Sequence, residues 1–416
     1  MLCAASTTLA GAPVDFSTIP QSCGVQVKGK EMGPESLDLI KELGVKVVRR
    51  GLLWEGVEKS TGNYDFSDYD EFFKLCKERG LTIIAPLAFK NKLYPDPTQD
   101  ERGRQAFAKF CGAAAGHYRG ETVIWEIWNE PNVQTFWGKH GKGHNSDQYA
   151  DEYIAMLNAC VPLMRKADPK CTILGGAVSG LWEESFKWMD FCFQKGILKT
   201  GIDAWSVHPY STASPESYID AYARMRASMK QYAAKTNVIV INSERGFPVK
   251  KGAEGYSGGS ENKVYEYQAW QLVRQFMIDQ SCDIKLTSWY EWGGTEGFAL
   301  YNAKEKIKNP AYNAYKVMID QLTGYHFDKR IKLTSDLDYV MQFVNRNGAV
   351  KLVAWTASSE PKNLDATVPH EVTLPVATSG PFETFSIYGE KGSVAVKDKG
   401  IVVNLTGAPQ YISLRR

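Results

Sequence analysis

From Cys23 to Leu322 this chain alternates short β-type runs with amphipathic helical patterns, and that alternation restricts the fold more than any other feature. The strand candidates are 23–27, 45–50, 81–87, 123–129, 171–178, 204–208, 238–243 and 284–290. Helical patterns follow them at 34–43, 66–79, 104–118, 147–166, 182–195, 215–234, 262–280 and 310–322. Gly33 before Pro34 and Ser214 before Pro215 are sensible helix starts, and Gly44 and Gly80 are sensible stops. Eight strands, each followed by a helix, predict a (β/α)8 barrel over 22–323. An open doubly wound sheet is the alternative, but no Gly-x-Gly-x-x-Gly turn follows the first strand, so a dinucleotide site has no support. After Leu322 the period changes to short alternating runs at 338–344, 350–356, 370–376, 382–388, 393–396, 401–405 and 410–414. These predict a small C-terminal antiparallel β-sandwich over 324–416, with the junction at Thr323-Gly324.

A net charge of +2, without a long block of like charge, favours neither a nucleic-acid nor a membrane partner. No apolar run reaches the roughly 18 residues that a transmembrane helix needs. Residues 1–21 read as an N-terminal extension. Its small apolar start, MLCAASTTLAGA, fits the remnant of an export signal but lacks a charged first segment. A secreted or periplasmic location is the weak expectation, with the cytoplasm as the alternative. The eight cysteines form no Cys-x-x-Cys pair and several fall on apolar faces, so they read as buried thiols, with a single bridge as the alternative. A monomer or small homo-oligomer is expected.

The chemistry is concentrated at strand ends. Val123 opens an apolar run that ends in Trp128-Asn129-Glu130-Pro131-Asn132, and Pro131 cannot continue a sheet ladder. Taken alone, Glu130 could be a solvated loop acid. A second acid, Glu244, ends the run 238–243 in the same way. In a barrel all eight C-terminal strand ends meet on one face. That face would collect Arg49 and Trp54 from strand two, Asn129 and Glu130 from strand four, and His208 and Tyr210 from strand six. Strand seven adds Glu244, and strand eight adds Trp289, Glu291 and Trp292. Two carboxyls in one bowl are what glycoside hydrolysis needs: one protonates the leaving oxygen, the other attacks or activates water.

At these residues the chain resembles the clan A glycoside hydrolases, retaining (β/α)8 enzymes. The Trp-Asn-Glu-Pro ending of strand four and the Glu ending of strand seven carry the likeness. The segment Trp54–Asp70 (WEGVEKSTGNYDFSDYD) is similar to families 5, 39 and 42 of that clan. The resemblance implies that Glu130 is the acid/base and Glu244 the nucleophile. It implies that Asn129 holds the sugar 2-hydroxyl, that Arg49 braces the nucleophile, and that His208 and Tyr210 form the strand-six His-x-Tyr element. It makes Trp289 the floor of the sugar subsite; Trp54 and Trp292, flat rings at strand ends, are further candidate sugar contacts. The partner is then an oligo- or polysaccharide with β-linkages, and neither a metal nor an organic cofactor is implied.

One departure is visible. Arg245 follows Glu244 where many clan members carry an aromatic residue or Gly, so it would reach into a subsite or pair with an acid, and it hints at an unusual or charged sugar. The residues alone leave other choices open. Arg49 and Arg50 point to opposite sides of a strand, and either could be the inward one. His208 could be a core histidine, Glu126 an inward support, and Glu291 an acid that supports the site from behind or a surface residue. His140 and His144 would need a helical loop and a third ligand to hold a metal. Three functions compete: a retaining glycosidase (or a transglycosylase using the same intermediate), a non-catalytic carbohydrate-binding barrel, and a metal-dependent barrel hydrolase. The second typically lacks one acid, and the third needs a His-x-His element that is absent here.

Overall fold

The computed structural model describes residues 16–140, 143–211, 213–233, 237–249, 261–294, 297–360, 363–375, 382–394, 396–397 and 400–414. The apolar start at 1–12, with Cys3, lies outside them. Parallel strands β1 (Cys23–Gln26), β2 (Val47–Arg49), β3 (Thr82–Ala88), β4 (Val123–Ile127), β5 (Thr172–Ser179), β6 (Ala204–His208), β7 (Ile239–Arg245) and β8 (Thr287–Trp289) form one sheet. The pairing Cys23↔Thr287 returns β8 to β1 and closes the barrel. Around it run α1 (Pro34–Leu43), α2 (Ser67–Glu78), α3 (Glu101–His117), α4 (Asp147–Ala167), α5 (Glu183–Gln194), α6 (Tyr218–Ala233), α7 (Glu261–Ser281) and α8 (Pro310–Leu322).

Local chemistry sets these boundaries. In α1, Leu37, Ile40 and Leu43 fall on one buried face, and Pro34 opens the first turn. Gly44 ends it at φ 101°, donating its N–H to the carbonyls of Ile40 and Lys41. The helix α3 begins earlier than its apolar period indicates, because the Asp100 side chain accepts from the N–H groups of Arg102 and Gly103.

The barrel interior is stratified. Val47, Ile84, Ile124, Leu174, Ala204, Ile241 and Leu286 fill its lower part, and Phe16 packs against them. Polar side chains occupy the upper part, at the strands' C-terminal ends. An apolar floor beneath a polar bowl leaves the upper groups poorly solvated, so they must satisfy one another.

The chain then forms β9 (Tyr325–Ile331), β10 (Asp338–Asn345), β11 (Val350–Thr356), β12 (His370–Pro375), β13 (Phe382–Phe385), β14 (Lys391–Val394), β15 (Gly400–Leu405) and β16 (Gln410–Leu414). A six-stranded antiparallel sheet has the order β9-β10-β11-β16-β13-β14, and a smaller sheet pairs β12 with β15. Val340, Leu352, Leu374, Ile401 and Ile412 pack between the two. The opposite face of the larger sheet carries Met341, Phe343, Val353, Trp355 and Tyr411 into the barrel's own apolar core. Trp355 Nε1 also donates to Glu216 Oε1 at 2.7 Å, and Arg274 holds the same carboxylate at 2.7 and 2.8 Å. The strand β9 was not among the sequence candidates. Its run Tyr-His-Phe-Asp-Lys-Arg-Ile is too charged to read as a core strand, and it forms an edge, where charge is tolerated.

The described cysteines are free, and all but Cys282 are buried. Burial pushes the Cys23 and Cys76 thiols up to about 12, so little thiolate forms. Among the described residues no helix is long and apolar enough to cross a membrane.

Candidate active site

A cleft with a volume of about 710 Å³ opens at the C-terminal end of the barrel. Gln26, Arg49, Asn129, Glu130, Tyr210 and Glu244 line it together with Tyr69, Phe89, Phe136, Tyr290 and Phe298. Several different strand ends and following loops thus contribute to its polar part.

Irregular backbone aims the two acids. Beyond β4, Trp128 and Glu130 adopt positive φ of 70° and 46°, which turns the chain sharply at the strand end. A bulge in β5 shifts the register between Gly175 and Val178, and Gly176 sits there at φ 98°. The Ala177 carbonyl within that bulge accepts the Glu130 N–H at 3.1 Å. Asn132 ties the same loop to β5, accepting from Ser179 N at 2.9 Å and donating to Ser179 O at 3.0 Å. A second bulge lies in β7, where Asn242↔Thr287 is followed by Arg245↔Trp289. The extra residue brings the side chains of both Ser243 and Glu244 to the barrel interior, while Asn242 and Arg245 face the helices.

Arg49 is the hub of the bowl and is almost wholly buried. It donates to Glu126 Oε2 from Nε at 2.9 Å and from Nη2 at 2.6 Å. It also donates to Gln26 Oε1 at 2.6 Å, to Asn129 Oδ1 at 2.9 Å, and to Glu244 Oε1. The other Glu244 oxygen accepts from Tyr210 Oη at 3.0 Å. Burial alone would raise the Glu244 pKa, but the Arg49 and His208 charges and the Tyr210 hydrogen bond outweigh it and hold it below the ordinary value. Burial opposes charge on His208 as well, yet Glu244 and Glu130 reverse this and raise its pKa. His208 Nδ1 lies 3.0 Å from Glu130 Oε1 and 3.7 Å from Glu244 Oε2. Donor atoms of Glu130, His208 and Glu244 all lie within 4.8 Å of one another. This trio has the composition of a metal site, but its groups are already engaged, and the Arg49 cation borders it.

Arg49 therefore faces inward, and Arg50 lies over the rings of Tyr69 and Phe72, 4.5 Å from each. Three expected sugar contacts are placed elsewhere. Trp54 is fully buried, stacked on Tyr94 at 5.2 Å and donating to Glu58 at 2.6 Å. Trp289 is equally buried and donates to Phe298 O at 3.1 Å. Trp292 packs on Tyr301 and Tyr312. Their rings fill apolar space, so the cleft takes its aromatic surface from residues the sequence reading passed over: Tyr69, Phe89, Phe136, Tyr290 and Phe298. Strand alternation gave a clue only for Tyr290, which follows Trp289 and therefore points away from it. His208 is fully buried behind the two acids and does not line the cleft.

Arg245 does not reach a subsite. It is buried, pairs with Asp279, donates to Tyr222 Oη at 2.8 Å, and lies over the Tyr218 ring. The charged-sugar expectation attached to it is thereby removed. Glu291 is buried and pairs with Lys28 at 3.0 Å, so it is no surface acid. His140 bonds Glu152 at 2.8 Å and His144 accepts from Gln134 N at 3.1 Å, so the two share no ligand position; residues 141–142 of their loop lie outside the described set.

A family model described as cellulase (glycosyl hydrolase family 5) matches residues 8–295. The structure is similar to a family 39 glycoside hydrolase from the gut symbiont Bacteroides cellulosilyticus WH2. The TM-score is 0.76 and the identity 20%, over 97% of this chain and 82% of that one. A monomeric beta-xylosidase from Caulobacter crescentus CB15 matches with a TM-score of 0.65 and 16% identity, covering 97% of each chain. A family 30 endoxylanase from Clostridium papyrosolvens C71 matches with a TM-score of 0.62 and 11% identity, over 94% of this chain and 95% of that one. At such identities the likeness speaks for the fold.

Proposed function

We propose that this chain, which belongs to the cellulase family, glycosyl hydrolase family 5, cleaves β-linked glycosides with retention by double displacement. The observation that carries this reading is the pairing of Glu130 and Glu244 across one bowl, with oxygens within 4.8 Å. A retaining pair stands about 5–5.5 Å apart, whereas an inverting pair needs roughly 6.5–9.5 Å to admit water between them. Glu244, kept ionised by Arg49, attacks the anomeric carbon while Glu130 protonates the leaving oxygen. Glu130 then takes a proton from the water that releases the sugar. Asn129 gives its carbonyl oxygen to Arg49, which leaves its NH2 group to donate to the sugar 2-hydroxyl. The rings of Phe89, Phe136 and Tyr290 offer flat faces for the sugar or its leaving group.

Transglycosylation uses the same covalent intermediate and differs only in the acceptor. A carbohydrate-binding protein without catalysis would not need a nucleophile so thoroughly braced. Aryl β-xylosides and β-glucosides are the first substrates to try, since two of the similar structures are named for xyloside or xylan cleavage. Turnover is expected, with a pH profile that reflects the site. Glu244 must be ionised to attack, and its pKa is depressed, so the acid limb of kcat/KM should fall below the ordinary glutamate value of about 4.3. An acid limb well above that value would contradict the assignment of Glu244. Export is a proposal resting on residues 1–12 alone.

A further inference from the structure

Beneath Glu130 lie Glu126, Ser206 and Ser243, three buried polar side chains that take no part in the double displacement itself. Ser243 Oγ is 2.5 Å from Glu126 Oε1, 2.5 Å from Ser206 Oγ and 2.9 Å from His208 Nε2. A hydroxyl carries one proton and two lone pairs, so three such partners fill it. Glu126 takes two N–H bonds from Arg49 on its other oxygen, and a carboxylate can only accept. Ser243 must then donate its one proton to Glu126. Its lone pairs accept from the Ser206 hydroxyl and from an N–H at His208 Nε2. The ring proton is thereby fixed on Nε2, and Nδ1, facing Glu130 Oε1 at 3.0 Å, is left to share a proton with that carboxyl.

We propose that Ser243, anchored on Glu126, is a positioning residue that fixes the Nε2–H tautomer of His208 and so makes Glu130 and His208 joint holders of one catalytic proton. This rests on the glycosidase reading of the same site. When Glu130 gives its proton to the leaving oxygen, a bare Nδ1 faces a carboxylate, and two lone-pair-bearing atoms are opposed. The proton taken from water in the second step relieves that opposition, so the pair returns to its starting state with atoms balanced. Charged groups face the ring from every side: Glu130 after β4, Glu244 on β7, and Arg49 on β2. Glu126 reaches it through Ser243, and Tyr210 reaches it through Glu244. Ser243 follows Ile241 onto the interior face by ordinary alternation, and the β7 bulge then brings Glu244 to the same face, so that the two stand side by side in the bowl.

The deciding experiment is imidazole 15N NMR on the full chain, with His208 identified by a His208→Gln variant, alongside pH profiles of turnover. The wild type should show His208 protonated at Nε2. Ser243→Ala removes the acceptor of that N–H. It should lose the fixed tautomer and move the basic limb of kcat/KM down by about one pH unit, with KM little changed. Ser243→Thr keeps a hydroxyl and should restore both. An Nδ1–H tautomer in the wild type overturns the proposal, even if the alanine variant fails to fold. An unchanged tautomer and profile in Ser243→Ala overturns it equally. The NMR measurement needs no turnover, so a chain with the fixed tautomer that cleaves no glycoside would refute the glycosidase reading alone.

Discussion

Replacing Glu244 by Gln is expected to lower kcat on aryl β-glycosides by on the order of 10⁴-fold or more, the scale on which loss of a covalent nucleophile is felt. The amide is nearly isosteric, so the fold should survive. Arg49 keeps both bonds to Glu126 and the bonds to Gln26 and Asn129, so removing one carboxylate does not strand the guanidinium. Substrate binding should change far less than turnover, because the contact removed matters at the anomeric carbon in the transition state. Steady-state kinetics beside a thermal melt separate the two effects. A variant with native stability and near-wild-type kcat would exclude Glu244 as nucleophile.

The largest expected stability effect lies outside the bowl. Asp279 on α7 accepts from Arg245, from Tyr222 Oη at 3.0 Å, from Asn242 at 2.9 Å and from Thr287 at 2.8 Å. Arg245 and Asp279 are both fully buried, and among the described residues Asp279 is the acid that pairs with Arg245. Asp279→Ala leaves a guanidinium uncompensated away from water, which costs about 3–5 kcal/mol. Replacing the pair together, Arg245→Met with Asp279→Leu, should recover part of that loss, since an apolar pair needs no solvation, while Tyr222, Asn242 and Thr287 still lose their acceptor. Chemical denaturation of the single and double variants decides this. A single-variant loss below about 1 kcal/mol would mean that Arg245 relaxes to another partner.

The order of strands and helices was legible because hydrophobic period and Gly/Pro punctuation are local properties of the chain. The same holds for the acid at the end of β4, which Pro131 marks. The bulges were not legible. Strict alternation puts Ser243 and Glu244 on opposite faces, whereas an inserted register step turns both inward, and nothing in the residue types of 242–245 announces it. Tryptophans at strand ends misled for a related reason. Trp54, Trp289 and Trp292 are as suitable for stacking on a sugar as for filling space between barrel and helices, and tertiary packing decides between the two. Arg245 beside Glu244 suggested a charged substrate. Its actual partner lies thirty-four positions along the chain, a distance no local pattern spans.

The whole mechanism depends on a covalent bond between Glu244 and the sugar. Incubation with slow-turnover 2-deoxy-2-fluoro-β-glycosyl fluorides of xylose and glucose, followed by proteolysis and peptide mass spectrometry, detects that bond directly. A stoichiometric sugar adduct is expected on the peptide carrying Glu244, released as turnover resumes. An adduct on Glu130 or another residue, or steady cleavage of the unfluorinated glycoside with inversion at the anomeric carbon, would contradict it.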